Sequence, residues 1–350
     1  MSSVFNYHNG FRLESGVTLP GYHLAYTTHG KLNATKDNVV WIFHALTANS
    51  NPLEWWPGLV GEGKFFDPSK YFIICVNKPG SPYGSISPLS TNPATNEPYY
   101  HEFPIFTIRD MVKAYQHLKD HLGIKKIFIG LGGSTGGMQL LEWAIEEPAL
   151  FEHIVPIATN AALSPWAVAF NASQRMAIEA DESWLEKRPD AGQKGLSAAR
   201  SIALLSYRSF NGYDITQPRD KAFVPLHKEA TYAADNYQRY QGLKLVNRFN
   251  VISYYRLSQA MDSHDVGRNR GSVEEALKQI KARTLVIGIK SDVLYPITEQ
   301  EYLQQHIPHA ELLSIASDFG HDGFLLEYEK IETALKQFIQ DKQSYLKVAN

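Results

Sequence analysis

The segment Gly132-Gly133-Ser134-Thr135-Gly136 is the strongest candidate for covalent chemistry in this chain of 350 residues. It matches the pattern G-x-S-x-G, in which a nucleophilic serine lies on a sharp turn between a strand and a helix. The apolar run IFIGL precedes the motif and the helix-like segment MQLLEWAI follows it. An ordinary turn or a phosphate-binding loop is the alternative, but neither the Walker pattern nor G-x-G-x-x-G fits these residues. We therefore predict that Ser134 is a nucleophile.

A serine nucleophile needs a base, and the base needs an acidic residue that orients it. In proteins with this type of turn, the acid and then the histidine follow the serine along the chain. Asp292 comes just after the apolar run TLVIGI, and His321 lies in the turn after the run LLSIA. Catalytic groups gather at such strand ends. We predict that Asp292 and His321 complete a triad with Ser134.

Other residues compete for these roles, because the chain has 13 histidines. His264 stands beside an aspartate but precedes the predicted acid, so we interpret it as structural. His44 follows a strand and could line a pocket, yet it precedes the nucleophile. Asp318 is a rival orienter, although it is close in sequence to the histidine it would have to support. His321 itself could instead be an ordinary loop histidine.

The tetrahedral intermediate of acyl transfer needs two backbone N–H groups that stabilise its oxyanion. One belongs to the residue after the nucleophile, here Thr135, and the other to a loop after an earlier strand. The apolar run VVWIF leads into His44-Ala45-Leu46-Thr47 at that position. We predict that Leu46 is the second donor, and a plain strand-ending turn is the alternative.

Short apolar runs recur along the chain, separated by turns and longer mixed segments. Several are rich in β-branched residues and apolar at consecutive positions, which is typical of strands covered on both faces. The predicted strands are residues 39–45, 71–76, 127–131, 154–158, 284–289 and 312–316, and the predicted helices are 108–122, 138–147 and 274–282. This alternation predicts an α/β fold with a mainly parallel sheet flanked by helices.

The alternation lapses across residues 163–268, which are aromatic, helix-like and without a convincing strand. Because strand-like runs stand on both sides, we interpret this segment as an inserted helical cap. The predicted core is then formed by residues 1–162 and 269–350.

Composition excludes several classes of protein. The net charge of −2, with 44% apolar and 20% charged residues, is ordinary for a globular chain and favours neither nucleic acid nor a membrane surface as partner. A single cysteine, Cys75, cannot form an internal disulfide. Neither a secretory signal nor an apolar run long enough to span a bilayer occurs, so we expect a soluble, intracellular protein.

Eight segments in the same order resemble the homoserine O-acetyltransferases, which belong to the α/β-hydrolase superfamily. The segments are HALT, WWPGLVGEGKFFD, TIRDMV, GGSTGGMQLLEWA, FNASQRMAI, KGLSAAR, SDVLYP and GHDGFL. The resemblance spans nearly the whole chain, cap included. It implies an α/β-hydrolase fold and acetyl transfer from acetyl-CoA to the hydroxyl of L-homoserine, an early step of methionine biosynthesis, in the cytoplasm. By position, Ser134, Asp292 and His321 match the family's triad.

The resemblance also assigns substrate-binding roles to Arg200, Tyr207 and Asp322. Homoserine is a zwitterion, so its site needs a cation for the carboxylate and an anion for the amine. Arg200 offers a planar fork for a carboxylate, and Tyr207 returns to the same helix face about two turns later. Asp322, next to the histidine, would hold the ammonium group. Without the resemblance, Arg200 and Tyr207 could equally be a solvated or packing face of a helix.

The acyl group and the partners follow from the same resemblance. Relatives that use succinyl groups tend to carry an arginine where this chain has Leu294, so acetyl is expected. The chain departs from many members at Thr135, at Ala48-Asn49 and at Pro82. We expect a ping-pong mechanism through acyl-Ser134, with acetyl-CoA as co-substrate, no bound cofactor, no metal, and a homodimer formed through the cap. Transfer to serine or another hydroxy amino acid, and hydrolysis of carboxylic esters, are the alternatives.

Overall fold

The computed structural model describes residues 2–340, and a central sheet of eight strands forms its core. The strands in chain order are β1 (Ser2–Tyr7), β2 (Phe11–Arg12), β3 (Thr18–Leu19), β4 (Tyr22–His29), β5 (Val39–Phe43), β6 (Phe72–Val76), β7 (Thr91–Asn92), β8 (Glu97–Pro98), β9 (Ile127–Gly133), β10 (Phe151–Ile157), β11 (Arg283–Ile289) and β12 (Glu311–Ile315). The helices are α1 (Pro52–Trp55), α2 (Ile108–His121), α3 (Thr135–Glu146), α4 (Pro165–Glu179), α5 (Gln193–Tyr207), α6 (Phe210–Thr216), α7 (Ala233–Val246), α8 (Val251–Asp262), α9 (Val273–Leu277), α10 (Ile297–His306), α11 (Gly323–Leu326) and α12 (Tyr328–Gln340). Short 3₁₀ helices span Tyr100–Glu102 and Gly320–Asp322.

The strand order in the central sheet is β1-β4-β6-β5-β9-β10-β11-β12. From β6 to β12 neighbouring strands pair in parallel, whereas β4 pairs antiparallel with both β1 and β6. The carboxyl ends of the parallel strands therefore meet at one edge of the sheet, where the loops after β5, β9, β11 and β12 come together. This edge is where ligands bind in open α/β sheets.

The middle strands are buried on both faces, which explains their consecutive apolar residues. All five residues of β5 are buried. Its alternate residues belong to different clusters, with Trp41 and Phe43 packed on one face and Val40 and Ile42 on the other. Burial of both faces under helices stabilises the sheet and makes it a rigid frame for the loops at its edge.

All six predicted strands are present, and the predicted α/β-hydrolase architecture is confirmed. The helix predicted at 274–282 is wrong in its second half, because α9 ends at Leu277. The apolar residues that continued the helical pattern, Ile280 and Ala282, are buried in the loop that leads into β11. The helix predicted from residue 138 instead begins at Thr135, directly after the candidate nucleophile.

The segment 163–268, all of it described, contains α4 to α8 and no strand longer than an isolated bridge. That bridge joins Ala162 to Asp265 in antiparallel orientation, so the two ends of the segment lie together. The division into core and cap stays an interpretation, and Met1 and 341–350 of the predicted core lie outside the described residues. Among residues 2–340, none of the helices has the length and apolar character that crossing a membrane would require.

Candidate active site

Ser134 lies at the sharp turn between β9 and α3. Its backbone has φ of 57° and ψ of −125°, a conformation that non-glycine residues adopt rarely and at a cost in energy. The flanking glycines are required by close approach, because a Cβ at Gly136 would lie 2.1 Å from the carbonyl oxygen of Phe43, and one at Gly132 would lie 2.5 Å from Gly136. The motif therefore packs the start of α3 against β5. The side chain of Ser134 is held at the carboxyl edge of the sheet.

Asp292 and His321 form a buried pair at the same edge. Asp292 lies in the loop after β11, and its Oδ2 accepts a hydrogen bond from Nδ1 of His321 at 2.6 Å. Its other oxygen, Oδ1, accepts the backbone N–H groups of Leu294 at 2.8 Å and Tyr295 at 2.9 Å. These contacts fix the carboxylate, and the carboxylate in turn fixes the tautomer of the imidazole with Nε2 free to accept a proton.

Ser134 and His321 line the same cavity, whose volume is about 680 Å³. No hydrogen bond joins their side chains in the described part of the chain. Contacts of this kind are often long without substrate and shorten when it binds. Also lining the cavity are Ala45, Leu46, Thr47, Ala48, Asn49, Glu54, Trp55, Tyr83, Arg200, Tyr207, Lys244, Arg248, Asp322, Phe324 and Leu325.

The two predicted oxyanion donors lie in the two segments next to the serine, one across the cavity lining and one in the chain. Leu46 is in the loop after β5 and lines the cavity, and Thr135 is the first residue of α3. Within residues 2–340, neither backbone N–H donates a hydrogen bond to another residue. Two amides in these positions are available to an anionic oxygen on an acyl carbon attached to Ser134.

The residues predicted to bind the substrate also face this cavity. The guanidinium carbon of Arg200 lies 5.5 Å from the centre of the Tyr207 ring, and no carboxylate of the described residues pairs with Arg200. Tyr207 in turn packs against His321, with 5.7 Å between ring centres. Asp322 is different, because its Oδ2 already forms an ion pair with Nη1 of Arg208. We did not predict Arg208 from the sequence, although it directly follows the helix that carries the other two.

Tyr295 is a further residue beside the triad that the sequence analysis missed. Its ring is buried and lies 5.2 Å from the ring of His321, edge to face. Burial raises the pKa of its hydroxyl strongly, and the proximity of Tyr207 and Asp292 adds to the increase. Its place in the segment SDVLYP, three residues after the acid, was the available signal. The hydroxyl is therefore protonated and able to donate a hydrogen bond into the site.

The rival residues have other partners. Nε2 of His264 contacts the carbonyl oxygen of Asn160 at 2.8 Å, away from the cavity. His44 is buried and does not line the cavity. Asp318 accepts hydrogen bonds from Ser209, through its backbone oxygen, and from the side chain of Asn211 at 3.2 Å. Asp318 thus holds the start of α6 rather than orienting the histidine.

Two further cations, besides Arg200, line the cavity. Lys244 belongs to α7, and Arg248 follows that helix. Nη1 of Arg248 donates to the carbonyl oxygen of Thr47 at 2.6 Å and to the hydroxyl of Tyr83 at 2.7 Å. Neither cation has an ion pair with a carboxylate of residues 2–340. This part of the cavity therefore attracts anions.

The chain is similar to known proteins in both sequence and structure. A family model described as the alpha/beta hydrolase fold matches residues 38–328. A homoserine O-acetyltransferase from Cyclobacterium marinum is 48% identical over 335 residues, which cover 96% of this chain and 94% of that protein. The crystal structure of homoserine O-acetyltransferase from Bacillus anthracis is similar at a TM-score of 0.88 and 26% identity, covering 98% of each chain. The acetyl esterase MekB is similar at a TM-score of 0.84 and 26% identity, covering 97% of each chain.

Proposed function

The chain belongs to the homoserine O-acetyltransferase family of α/β hydrolases, and from this we propose how its residues carry out the transfer. It is an acyltransferase that moves an acetyl group to the hydroxyl of homoserine, a step of methionine biosynthesis. The observation that carries the assignment of residues is the shared cavity. Ser134, His321 with its bond to Asp292, and Arg200, which pairs with no carboxylate of residues 2–340, come together there.

In the first half-reaction the acetyl group moves to the enzyme. Nε2 of His321 takes the proton of Ser134, whose oxygen attacks the carbonyl carbon of the acetyl donor. The N–H groups of Leu46 and Thr135 stabilise the resulting oxyanion. Asp292 stabilises the imidazolium until it gives its proton to the leaving thiolate. The result is acetyl-Ser134 and a free thiol.

In the second half-reaction homoserine replaces the thiol. Arg200 binds its carboxylate, Tyr207 packs beside that pair, and Asp322 accepts its ammonium group. A carboxylate accepts several hydrogen bonds, so the ion pair between Asp322 and Arg208 leaves capacity for the ammonium group. Held this way, the γ-hydroxyl gives its proton to His321 and attacks the acetyl carbon. The ester bond to Ser134 then breaks, the imidazolium returns the proton to the serine oxygen, and O-acetylhomoserine leaves.

The donor we propose is acetyl-CoA, which enters as a co-substrate rather than a resident cofactor. The positive charge of Lys244 and Arg248 in the cavity lining supports this proposal, because such cations suit the phosphates of CoA. Glu54 also lines the cavity, but its carboxylate is occupied by the side chains of Asn49 and Asn51, each at 2.9 Å. Acetyl is favoured over succinyl because Leu294 is apolar and buried.

The test is release of CoA from acetyl-CoA, measured with homoserine, with serine and with neither. We expect continued release of CoA over many turnovers only with homoserine. Without homoserine, release should stop after a single burst that leaves acetyl-Ser134, detectable by mass spectrometry. Release that ignores homoserine would instead favour ester or thioester hydrolysis, which the likeness to an acetyl esterase keeps as the second candidate. Equal rates with serine would favour a broader hydroxy amino acid transferase.

We also propose a cytoplasmic homodimer that forms through the cap. Support comes from three apolar side chains in or near α6, namely Phe210, Ile215 and Val224, which are 85%, 62% and 83% exposed. Exposed apolar side chains mark a protein–protein interface where they form one contiguous patch.

A further inference from the structure

Lys78 is a buried cation behind the candidate oxyanion donors. It lies in the loop after β6, and its side chain is only 1% exposed. Its ammonium group donates to the carbonyl oxygen of His44 at 2.9 Å, to that of Ala45 at 3.2 Å and to Oγ1 of Thr135 at 3.2 Å. Three neutral acceptors therefore satisfy all three of its protons.

In the described part of the chain no carboxylate lies within ion-pair distance of Lys78. The titratable groups that face it are His44 and Cys75. The N–H of Lys78 donates to Nε2 of His44 at 3.3 Å, and burial keeps the pKa of that imidazole low. Burial also raises the pKa of the Cys75 thiol to about 12. A buried, uncompensated charge costs stability, so its retention calls for another reason.

The acceptors of Lys78 belong to the two segments that carry the oxyanion donors. The carbonyl of Ala45 and the N–H of Leu46 are opposite ends of one peptide group. A cation on the carbonyl oxygen polarises that group and makes its N–H a stronger donor. The third acceptor is the side chain of Thr135, whose backbone N–H is the other donor. One ammonium group therefore joins both halves of the oxyanion site.

We propose that Lys78 positions and polarises the oxyanion hole. Lys78 has no negatively charged partner among residues 2–340 of the resting protein, and the tetrahedral oxyanion supplies that negative charge during the reaction. The inference rests on the proposed acyl transfer through Ser134. No bond to Lys78 forms or breaks. Its contribution is a preorganised positive field and a fixed placement of two amides, which act more strongly in the transition state than in the ground state.

The experiment compares Lys78→Met with the wild-type protein in single-turnover acetylation of Ser134 by acetyl-CoA. Loss of one direct oxyanion donor costs about 10²- to 10³-fold. Because both amides remain in Lys78→Met, we expect the maximal rate to fall by about 10- to 100-fold. The half-saturating acetyl-CoA concentration should change less than twofold. The melting temperature should stay equal or rise, since a buried charge is removed.

The chain offers a matched control in Lys119, a second buried lysine, which pairs with Glu147 at 2.7 Å far from the cavity. Lys119→Met should lower the melting temperature and leave the acetylation rate within twofold. For Lys78→Met, an unchanged rate overturns the proposal, and so does a rate loss that is matched by a lower melting temperature or by weaker acetyl-CoA binding.

The pH dependence of the acetylation rate separates a role of the Lys78 charge from a purely structural role. Burial lowers the pKa of Lys78 to about 7, so its charged fraction falls as the pH rises above that value. The ratio of the wild-type rate to the Lys78→Met rate should therefore shrink between pH 7 and about pH 9. A ratio that is constant with pH overturns the role of the charge.

If Lys78→Met does not fold, Thr135→Val tests the same link, because it removes the hydroxyl acceptor and keeps the backbone N–H. We expect a loss of about 3- to 10-fold in the acetylation rate, and no loss overturns the proposal. Failure of the wild-type protein to form acetyl-Ser134 at all would refute the proposed function. A wild-type protein that forms acetyl-Ser134, together with variants that form it at the same rate, would refute only the role of Lys78.

Discussion

Asp292→Asn tests the central pair of the site most directly. The variant keeps an oxygen that can accept the N–H groups of Leu294 and Tyr295, now at 2.8 and 2.9 Å from Oδ1. The amide nitrogen then replaces the oxygen that lies 2.6 Å from Nδ1 of His321. Two N–H groups cannot face each other, so the imidazole must turn or adopt the tautomer that carries the proton on Nε2. In that tautomer it cannot accept the proton of Ser134.

The magnitude follows from this wrong tautomer and from the lost charge. The same exchange in a serine protease lowers kcat about 10⁴-fold. We therefore expect a loss of about 10³- to 10⁴-fold here, or about 4–5.5 kcal/mol of transition-state stabilisation. Two hydrogen bonds to a charged acceptor become bonds to a neutral one, which costs about 1–2 kcal/mol of folding free energy. The melting temperature should thus fall by only a few degrees.

The assay is the rate of CoA release with saturating acetyl-CoA and homoserine, with thermal unfolding measured on the same preparation. Asp318→Asn is the matched control, because Asp318 was the rival orienter and contacts Ser209 and Asn211 instead. We expect that control to keep its rate within about threefold. An Asp292→Asn protein that is folded and retains more than a tenth of the wild-type rate would contradict the reasoning.

Three further predictions concern the acceptor, the donor and the assembly. Arg200→Met should raise the KM for homoserine by about 10²-fold, because it removes a charge-assisted hydrogen bond to the carboxylate. Acetylation of Ser134 should keep its rate, and slower acetylation would contradict the assignment of Arg200 to the acceptor. Replacing both Lys244 and Arg248 by Gln should lower kcat/KM about 3- to 10-fold for acetyl-CoA, at up to about 1 kcal/mol for each exposed charge. The same double variant should change kcat/KM less than twofold for S-acetyl-N-acetylcysteamine, which has no phosphate. Equal losses with both donors would show that the two cations do not act on the phosphates. Phe210→Asp should convert a dimer into a monomer in light scattering after size exclusion, and an unchanged mass would exclude this face as the interface.

The buried parallel strands could be predicted from the sequence because burial on both faces leaves a local signal. The run at β5 is apolar at every position. The antiparallel edge of the sheet left a weaker signal, since β1 and β4 contain many polar residues and β1 has exposed residues at every second position. The pattern that suggested a helix through Ile280 arose from tertiary packing of a loop. The spacing of apolar residues in the sequence cannot distinguish the buried face of a helix from a loop that is buried by tertiary packing.

The placement of Ser134, Asp292 and His321 at one edge of the sheet could be predicted because each stands at a strand end with a recognisable neighbourhood. Lys78 and Arg208 could not, because their significance depends on partners far away in the sequence. The ammonium group of Lys78 reaches Thr135 across 57 positions, and no spacing rule connects them. Asp322 was identified from the resemblance alone, and its pairing with Arg208 became visible only in three dimensions.

The contacts of Asp322 and its neighbours link the proposed acceptor site to the proposed catalytic base. Arg208, at the end of α5, pairs with Asp322, the residue after His321. Gly320, the residue before His321, has φ of 63°, and a Cβ there would lie 2.7 Å from the backbone of Arg208. The helix that carries Arg200 and Tyr207 is thus packed directly against the turn that carries the base. One rigid contact positions both α5 and the turn that carries His321, so an acceptor bound by α5 is placed with its hydroxyl next to the imidazole. Water is not bound by α5 and is not positioned in this way. Preference for homoserine over water can therefore come from placement, without any change in the basicity of His321.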